Sequence, residues 1–140
     1  MKQLKLFCLF TVILMLNACK STKTMGNTLY NTTWELEYIT GPRIAFNGLY
    51  PDKKPQITFN KTTNKVEGHS SCNGYSADFS IHGNSITFGE PGPTTMMYCG
   101  QGEQVFLNTI KKVNTYSLDE EGKLILILDD VAMMRFKKVN

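Results

Sequence analysis

Residues 75–82 restrict the fold more than any other stretch, because apolar and polar side chains alternate there without interruption. A period of two places successive side chains on opposite faces of a β-strand, so this stretch predicts a strand with one buried face. The apolar face consists of Tyr75, Ala77, Phe79 and Ile81, and the polar face of Ser76, Asp78, Ser80 and His82. The turn residues 82–84 lead into a second alternating run at 85–88, which predicts a hairpin.

Other segments predict that most of the remaining chain is also strand. They are residues 34–38, 57–59, a run that opens at Val66, 116–118, 124–128 and 132–139. In the first of them, Trp34, Leu36 and Tyr38 are expected to point inward, and Glu35 and Glu37 outward. Residues 124–128 are all apolar, and such a run is typical of a central strand that is covered on both faces.

One helix is predicted over residues 103–113, because Phe106, Ile110 and Val113 recur at the spacing of one helical face. Many strands with a single helix indicate an α+β fold that is mainly antiparallel β. We expect a single bent sheet or open barrel of about seven or eight strands, with one helix. Residues 41–54 are too apolar for a plain loop, and they either pack on one end of the barrel or expose a binding surface.

The N-terminus carries the pattern of an export signal. Two lysines precede a short apolar stretch, Leu6 to Leu16, which is shorter than the roughly 20 residues that a membrane span needs. The stretch ends in Leu-Asn-Ala-Cys19, which resembles a bacterial lipobox, and this resemblance implies acylation of Cys19. We therefore predict a lipoprotein signal peptide over residues 1–18, a lipidated Cys19 with a polar tether over 19–30, and one domain over 31–140. The alternative is an ordinary cleaved signal with an incidental cysteine.

Removal of the signal changes the charge of the chain. Without Lys2 and Lys5, the 15 basic residues fall to 13 against 12 acidic ones, which is a net charge of +1. No basic stripe with interleaved aromatic residues remains, so nucleic acid is not an expected partner. We expect instead a protein of the bacterial cell envelope, held on the outer membrane by its lipid and facing the periplasm. Its expected partners are that membrane and another envelope protein.

Two cysteines, Cys72 and Cys99, lie outside the signal and the lipobox. An even pair in an exported domain favours a disulfide, which would close a loop of about 28 residues. Two reduced cysteines packed in the core are one alternative. Another is a Cu(I) site that also uses His69, Met96 or Met97, although no metal or other cofactor is predicted.

The sequence contains no recognisable catalytic constellation, and we predict that the protein is not an enzyme. The candidate nucleophiles are Ser70 and Ser71, and the candidate bases are His69 and His82. His82 falls at the far end of the strand that follows the two serines. The adjacent acidic pairs at 120–121 and 129–130 lie in predicted turns, where carboxylates are typically solvated.

Two short motifs give the chain a family resemblance. Residues Gly68, Cys72, Asn73, Tyr75 and Phe79 match the first, and Thr95, Met97 and Cys99 match the second. Over residues 30–139 the chain thus resembles the META domain of HslJ-like envelope proteins, although Ser71 and Ala77 stand where that family usually has glycine. The resemblance implies a cracked antiparallel barrel and a non-catalytic role in envelope or heat stress tolerance through protein contacts. The alternative is a small-ligand or copper-binding envelope module.

Overall fold

The structure is a computed structural model that describes residues 28–92 and 97–139. Its strands are β1 Thr33–Ile39, β2 Gln56–Asn60, β3 Lys65–His69, β4 Gly74–His82, β5 Ser85–Phe88, β6 Thr115–Leu118, β7 Leu124–Leu128 and β8 Val131–Val139. A short helix, α1, spans Phe46–Leu49, and the main helix, α2, spans Gly100–Ile110. No helix among the described residues has the length and apolar character to cross a membrane.

The eight strands form one antiparallel sheet in which each strand pairs with the next along the chain. The sheet curls until β8 also pairs with β1, over the register Thr33↔Val139 to Ile39↔Met134. The seam between β5 and β6 is narrow: its register consists of the pair Ser85↔Thr115, which is flanked by hydrogen bonds from the Ile86 amide to the Asn114 carbonyl and from the Tyr116 amide to the Asn84 carbonyl. The predicted mainly antiparallel fold, with one strongly bent sheet and one main helix, is confirmed.

A bulge in β1 changes which of its side chains face inward. The register with β8 shifts between Leu36 and Tyr38, so one residue is added on the β1 side. Trp34 and Leu36 are fully buried as predicted, but Tyr38 is exposed and Ile39 takes the inward position. The prediction of an inward Tyr38 was therefore wrong, because strict alternation cannot anticipate an extra residue.

The interior of the sheet is filled by large side chains. Trp34, Phe59, Phe106 and Phe136 are all fully buried. Phe59 meets Phe79 edge to face, with ring centroids 5.1 Å apart. Such packing leaves the surface clefts, rather than the interior, as the places to look for a site.

The β7 strand differs from the expected central strand. Leu124 and Leu126 are fully buried, but Ile125 and Ile127 remain half-buried on the outer face. Among the described residues, nothing covers that face completely. The prediction that both faces of this strand are covered was wrong for its outer side.

Helix α2 begins three residues before the predicted start and ends at Ile110. Phe106, Ile110 and the following Val113 are buried, as their spacing predicted. The early start depends on Gly102, where a Cβ atom would clash with the carbonyl oxygen of Leu49 and with the ring of Tyr50. Residues 41–54 therefore pack against the first turn of α2, and the Tyr50 hydroxyl donates to the Gly102 carbonyl at 2.9 Å.

Candidate functional site

Cys72 and Asn73 of the first motif meet Met97 and Cys99 of the second where β3 gives way to β4. The connecting residues 70–73 are held by a hydrogen bond from the Ser70 amide to the Asn73 carbonyl, at 3.0 Å. Ser70, Ser71 and Asn73 are buried although they are polar. Buried polar groups are expected to be hydrogen-bonded, so the partners of these side chains define how the region is built.

Cys72 and Cys99 form a disulfide whose Cα atoms are 5.6 Å apart. This bond links the β3–β4 connection to the residue that directly precedes α2. The disulfide prediction is confirmed, and the alternative of two reduced cysteines is wrong. We call the cluster of Ser70, the disulfide, Asn73 and Glu103 the disulfide junction.

The Asn73 side chain forms a pair of hydrogen bonds with the backbone of Met97, as a neighbouring β-strand would. Its Oδ1 accepts from the Met97 amide at 3.0 Å, and its Nδ2 donates to the Met97 carbonyl at 2.8 Å. The same Nδ2 also donates to the Glu103 carboxylate at 2.9 Å. One amide side chain thus joins the β3–β4 connection both to the segment before α2 and to α2 itself.

Glu103 completes the junction from the first turn of α2. Its carboxylate also accepts a hydrogen bond from the Ser70 hydroxyl at 2.6 Å. A carboxylate in the first turn is favoured by the helix dipole, and charge-assisted hydrogen bonds are stronger than neutral ones. Ser70 therefore has a structural role, and its hydroxyl is already bonded to a carboxylate.

Two other motif residues have structural reasons for their identity. Gly68 lies on β3 where a Cβ atom would clash with the Gln56 carbonyl on β2, so only glycine allows the two strands to approach this closely. Tyr75 is buried with its ring edge against Phe106, at a centroid distance of 5.6 Å. Burial raises the pKa of the Tyr75 hydroxyl, which has no hydrogen-bond partner among the described residues.

An apolar cleft opens beside the disulfide junction, and we call it the Tyr98 groove. It has a volume of about 620 Å³. Three of the residues that line it are large apolar side chains with high exposure, namely Ile44 at 45%, Met97 at 59% and Tyr98 at 93%. A nearly fully exposed tyrosine is unusual, because aromatic side chains are normally at least half buried. Tyr98 also borders a second cleft of about 510 Å³ that runs along α2.

The sequence did not single out Tyr98. Its one available signal was its position between Met97 and Cys99 in the second motif, and that position does not reveal exposure. Of the other predicted site residues, Cys19 and Thr95 lie outside the described residues, as does Met96. The predicted lipidation site, signal peptide and most of the tether are likewise outside them.

The described residues offer little for metal or acid–base chemistry in this region. They contain no group of three or more histidine, cysteine, aspartate or glutamate side chains placed to hold a metal ion. The sulfur of Cys99 is committed to the disulfide, so it is not a thiolate ligand. His82 lies at the opposite end of β4 from the junction.

Comparisons with known proteins agree with the motifs. The chain is similar to an NMR structure of a protein from Burkholderia xenovorans, with a TM-score of 0.60 and 20% identity over 81% of this chain and 86% of that chain. At this identity the likeness concerns the fold alone. No curated protein matches the chain. The family model of the META domain matches residues 27–140. The chain therefore belongs to the META domain family.

Proposed function

We propose that this protein is a non-catalytic lipoprotein of the bacterial envelope that binds an apolar segment of another envelope protein in the Tyr98 groove. The observation that carries the proposal is the exposure of Ile44, Met97 and Tyr98 around one cleft. Contiguous exposed apolar side chains are typical of interaction surfaces, and tyrosine is enriched among the residues that dominate binding energy.

The groove suits a binding surface because the backbone that carries two of its apolar side chains is fixed. The Met97 backbone forms two hydrogen bonds with the Asn73 side chain, and Cys99 is held by the disulfide. Tyr98 lies between these two fixed residues. A backbone that is already ordered loses little conformational entropy on binding, which favours affinity.

The position of the groove favours a protein as its partner over the surface of the membrane in which we propose that the lipid is anchored. Residue 31 lies beside the C-terminal end of β2, since the Asn31 amide donates to the Phe59 carbonyl at 3.3 Å. The groove lies at the other end of the β2–β3 hairpin, next to the connection that follows His69. A tether that runs from lipidated Cys19 to the Asn31 end of the domain would hold the groove, at the opposite end, away from the lipid surface.

We also propose that the lipid on Cys19 holds the domain on the outer membrane, facing the periplasm. A polar tether of about 10 residues has a root-mean-square reach of roughly 18 Å, so the domain would stay close to the membrane. A role in envelope or heat stress tolerance, as the family resemblance implies, would then depend on partners within that distance.

A photo-crosslinking experiment tests the groove. A benzophenone amino acid replaces Tyr98 in cells, and the matched control places it at Tyr38, another exposed tyrosine, which lines neither of the two clefts that Tyr98 borders. We expect a discrete adduct with an envelope protein from position 98 and none from position 38. The absence of any adduct at 98, or the same adduct from both positions, would contradict the proposal.

A further inference from the structure

A third cleft shares residues 51–53 with the Tyr98 groove, and we call it the Lys53 pocket. It has a volume of about 400 Å³, and its lining is mostly polar or charged: Glu35, Tyr50, Lys53, Lys54, Gln56 and His69. Neither the family motifs nor the disulfide junction accounts for this set of side chains. Volumes of a few hundred Å³ are typical of sites for small ligands.

His69 contributes a half-buried imidazole to this pocket. It is the last residue of β3, between Gln56 of β2 and Gly74 of β4 in the sheet register. Its Nδ1 atom is buried and has no hydrogen-bond partner among the described residues. Because that atom has almost no accessible surface, a ligand in the pocket lies against the imidazole ring rather than on Nδ1.

Lys53 and Lys54 contribute two positive charges that form no ion pair with any described residue. Lys53 is exposed, and the half-buried Lys54 has its ammonium 5.7 Å from the ring centroid of Phe46. Four other lysines do form ion pairs with carboxylates, at 2.8 to 3.2 Å, namely Lys65, Lys111, Lys123 and Lys137. The two lysines of the pocket are therefore available to an external anion.

The carboxylates of the pocket do not cancel these charges. The Glu35 carboxylate accepts from Gln56 at 2.8 Å and pairs with Lys137 at 3.2 Å, so both of its oxygens have partners. Burial raises the pKa of Glu35, but these two contacts, together with the charge of Lys54, outweigh it and keep the pKa below its usual value. Asp52 is exposed and offsets one of the two lysines. Because Glu35 is paired with Lys137, the pocket retains about one unit of positive charge beside the His69 imidazole.

We propose that the Lys53 pocket binds a small oxyanion, a carboxylate or phosphate group, between Lys53, Lys54 and His69. Both lysines supply ammonium donors, and the imidazole of His69 lies beside them, where its pKa responds to a bound charge. Burial, and next to it Lys53, lower the pKa of His69 against the opposing effects of the Ser71 backbone and Glu35. An anion among these groups offsets the effect of Lys53, so binding raises the pKa of His69.

The place of the pocket in the fold favours a free anion over a lipid headgroup. His69 and Gln56 lie at one end of the β2–β3 hairpin, whereas Asn31 lies at the other end, beside Phe59. A chain anchored in a membrane at Cys19 approaches the domain from the Asn31 end. Headgroups of that membrane are therefore poorly placed to reach the pocket.

Proton NMR of the two histidines tests the proposal on the full-length chain in a nonionic detergent. Sodium phosphate and sodium acetate are titrated at pH 6, against sodium chloride of matched ionic strength. The chain has only two histidines, and the exposed His82 is an internal control on the same strand system. We expect a saturable shift and a raised pKa for His69, and only a small linear response for His82.

Two variants, and a titration with phosphatidylglycerol in the micelles, provide the comparisons that test the proposal. We expect Lys53→Gln to weaken anion binding about two- to fivefold, the effect of losing one ion pair of an exposed lysine. The matched control Lys65→Gln, at the other end of the hairpin, should leave binding unchanged. A non-saturable response of His69, or equal binding by both variants, would overturn the proposal. So would a shift with phosphatidylglycerol in the micelles but none with free phosphate or acetate.

Discussion

Replacing Asn73 by alanine removes the side chain that joins three parts of the disulfide junction. Two of the lost hydrogen bonds go to the backbone of Met97, and the third goes to the Glu103 carboxylate. The disulfide next to it stays intact, so any effect reports on the amide side chain. Asn73 is almost fully buried, and water cannot simply take its place.

The size of the effect follows from these three contacts. Each neutral hydrogen bond contributes about 0.5–1.5 kcal/mol, and one to a charged group about 1.5–3 kcal/mol. Met97 is exposed and can regain water on its backbone groups, which lowers the total. We expect Asn73→Ala to lower the free energy of unfolding by about 3 kcal/mol, a large share of the roughly 5–15 kcal/mol of a typical domain.

Asn73→Asp distinguishes the loss of contacts from electrostatic repulsion, because it has nearly the same shape. It places a second carboxylate about 2.9 Å from that of Glu103. At an effective dielectric constant of about 20, the repulsion is about 5–6 kcal/mol, and proton uptake by the pair relieves part of it. At pH 7 we therefore expect Asn73→Asp to be less stable than Asn73→Ala.

The pH dependence of the free energy of unfolding distinguishes Asn73→Asp from Asn73→Ala. Repulsion raises the folded-state pKa of the carboxyl introduced at position 73, so the folded state binds the extra proton more tightly than the unfolded chain does. Stability is then regained as the pH falls and lost as it rises through the raised pKa. We expect the deficit of Asn73→Asp relative to wild type to shrink by about 2 kcal/mol from pH 7 to pH 4, and that of Asn73→Ala to change much less.

Urea unfolding followed by tryptophan fluorescence measures both variants. The chain has a single tryptophan, Trp34, which is fully buried and will shift its emission to the red on unfolding. A loss of 3 kcal/mol corresponds to a midpoint that is lower by about 2 M urea. A cost below about 0.5 kcal/mol for alanine, or identical pH profiles for both variants, would refute the assigned role of Asn73.

Three further predictions concern the junction and its surroundings. Gly68→Ala should destabilise by about 2–3 kcal/mol in the same urea assay, since its Cβ clashes with a β2 carbonyl, whereas Gly74→Ala has open space and should change stability by less than about 0.5 kcal/mol. The double change of Cys72 and Cys99 to serine should cost about 3.5 kcal/mol for a loop of about 28 residues, and an unchanged urea midpoint would exclude this stabilisation. The pKa of His69 is lowered in the folded state from its ordinary value of 6.5, so the unfolded chain binds a proton at this residue more readily. The free energy of unfolding should therefore fall as the pH drops below about 7; His69→Gln should reduce this fall, and a pH profile unchanged by the substitution would contradict the prediction.

The sequence predicted the sheet correctly where the alternation of apolar and polar residues matches the alternation of buried and exposed side chains. Residues 75–79 alternate into the core as expected, because β4 has no bulge there. Tyr38 was assigned to the wrong face, because the bulge in β1 arises from the pairing with β8. That pairing joins the two ends of the domain, so no local pattern contains it.

The candidate sites were less accessible to sequence reasoning. Asn73 and Met97 are 24 residues apart, and Asn73 and Glu103 are 30 apart, so nothing local indicates their hydrogen bonds. The disulfide could be predicted because cysteine pairing depends on chemistry and compartment as well as position. The pocket around His69 could not, because it depends on where residues 51–54 settle against the ends of β2 and β3.

The two motifs of the family have different roles in this structure. The disulfide and Asn73 fix the backbone on both sides of residue 98, and Gly68 lets β3 approach β2 closely. Tyr98 itself is 93% exposed and is not part of the buried core of the described residues. A surface residue held between two fixed neighbours can change at little cost to the fold, so substitution at this position would alter the binding that we propose for the groove while the domain stays intact. This separation between a fixed frame and an adaptable side chain is what we expect of the proposed binding module.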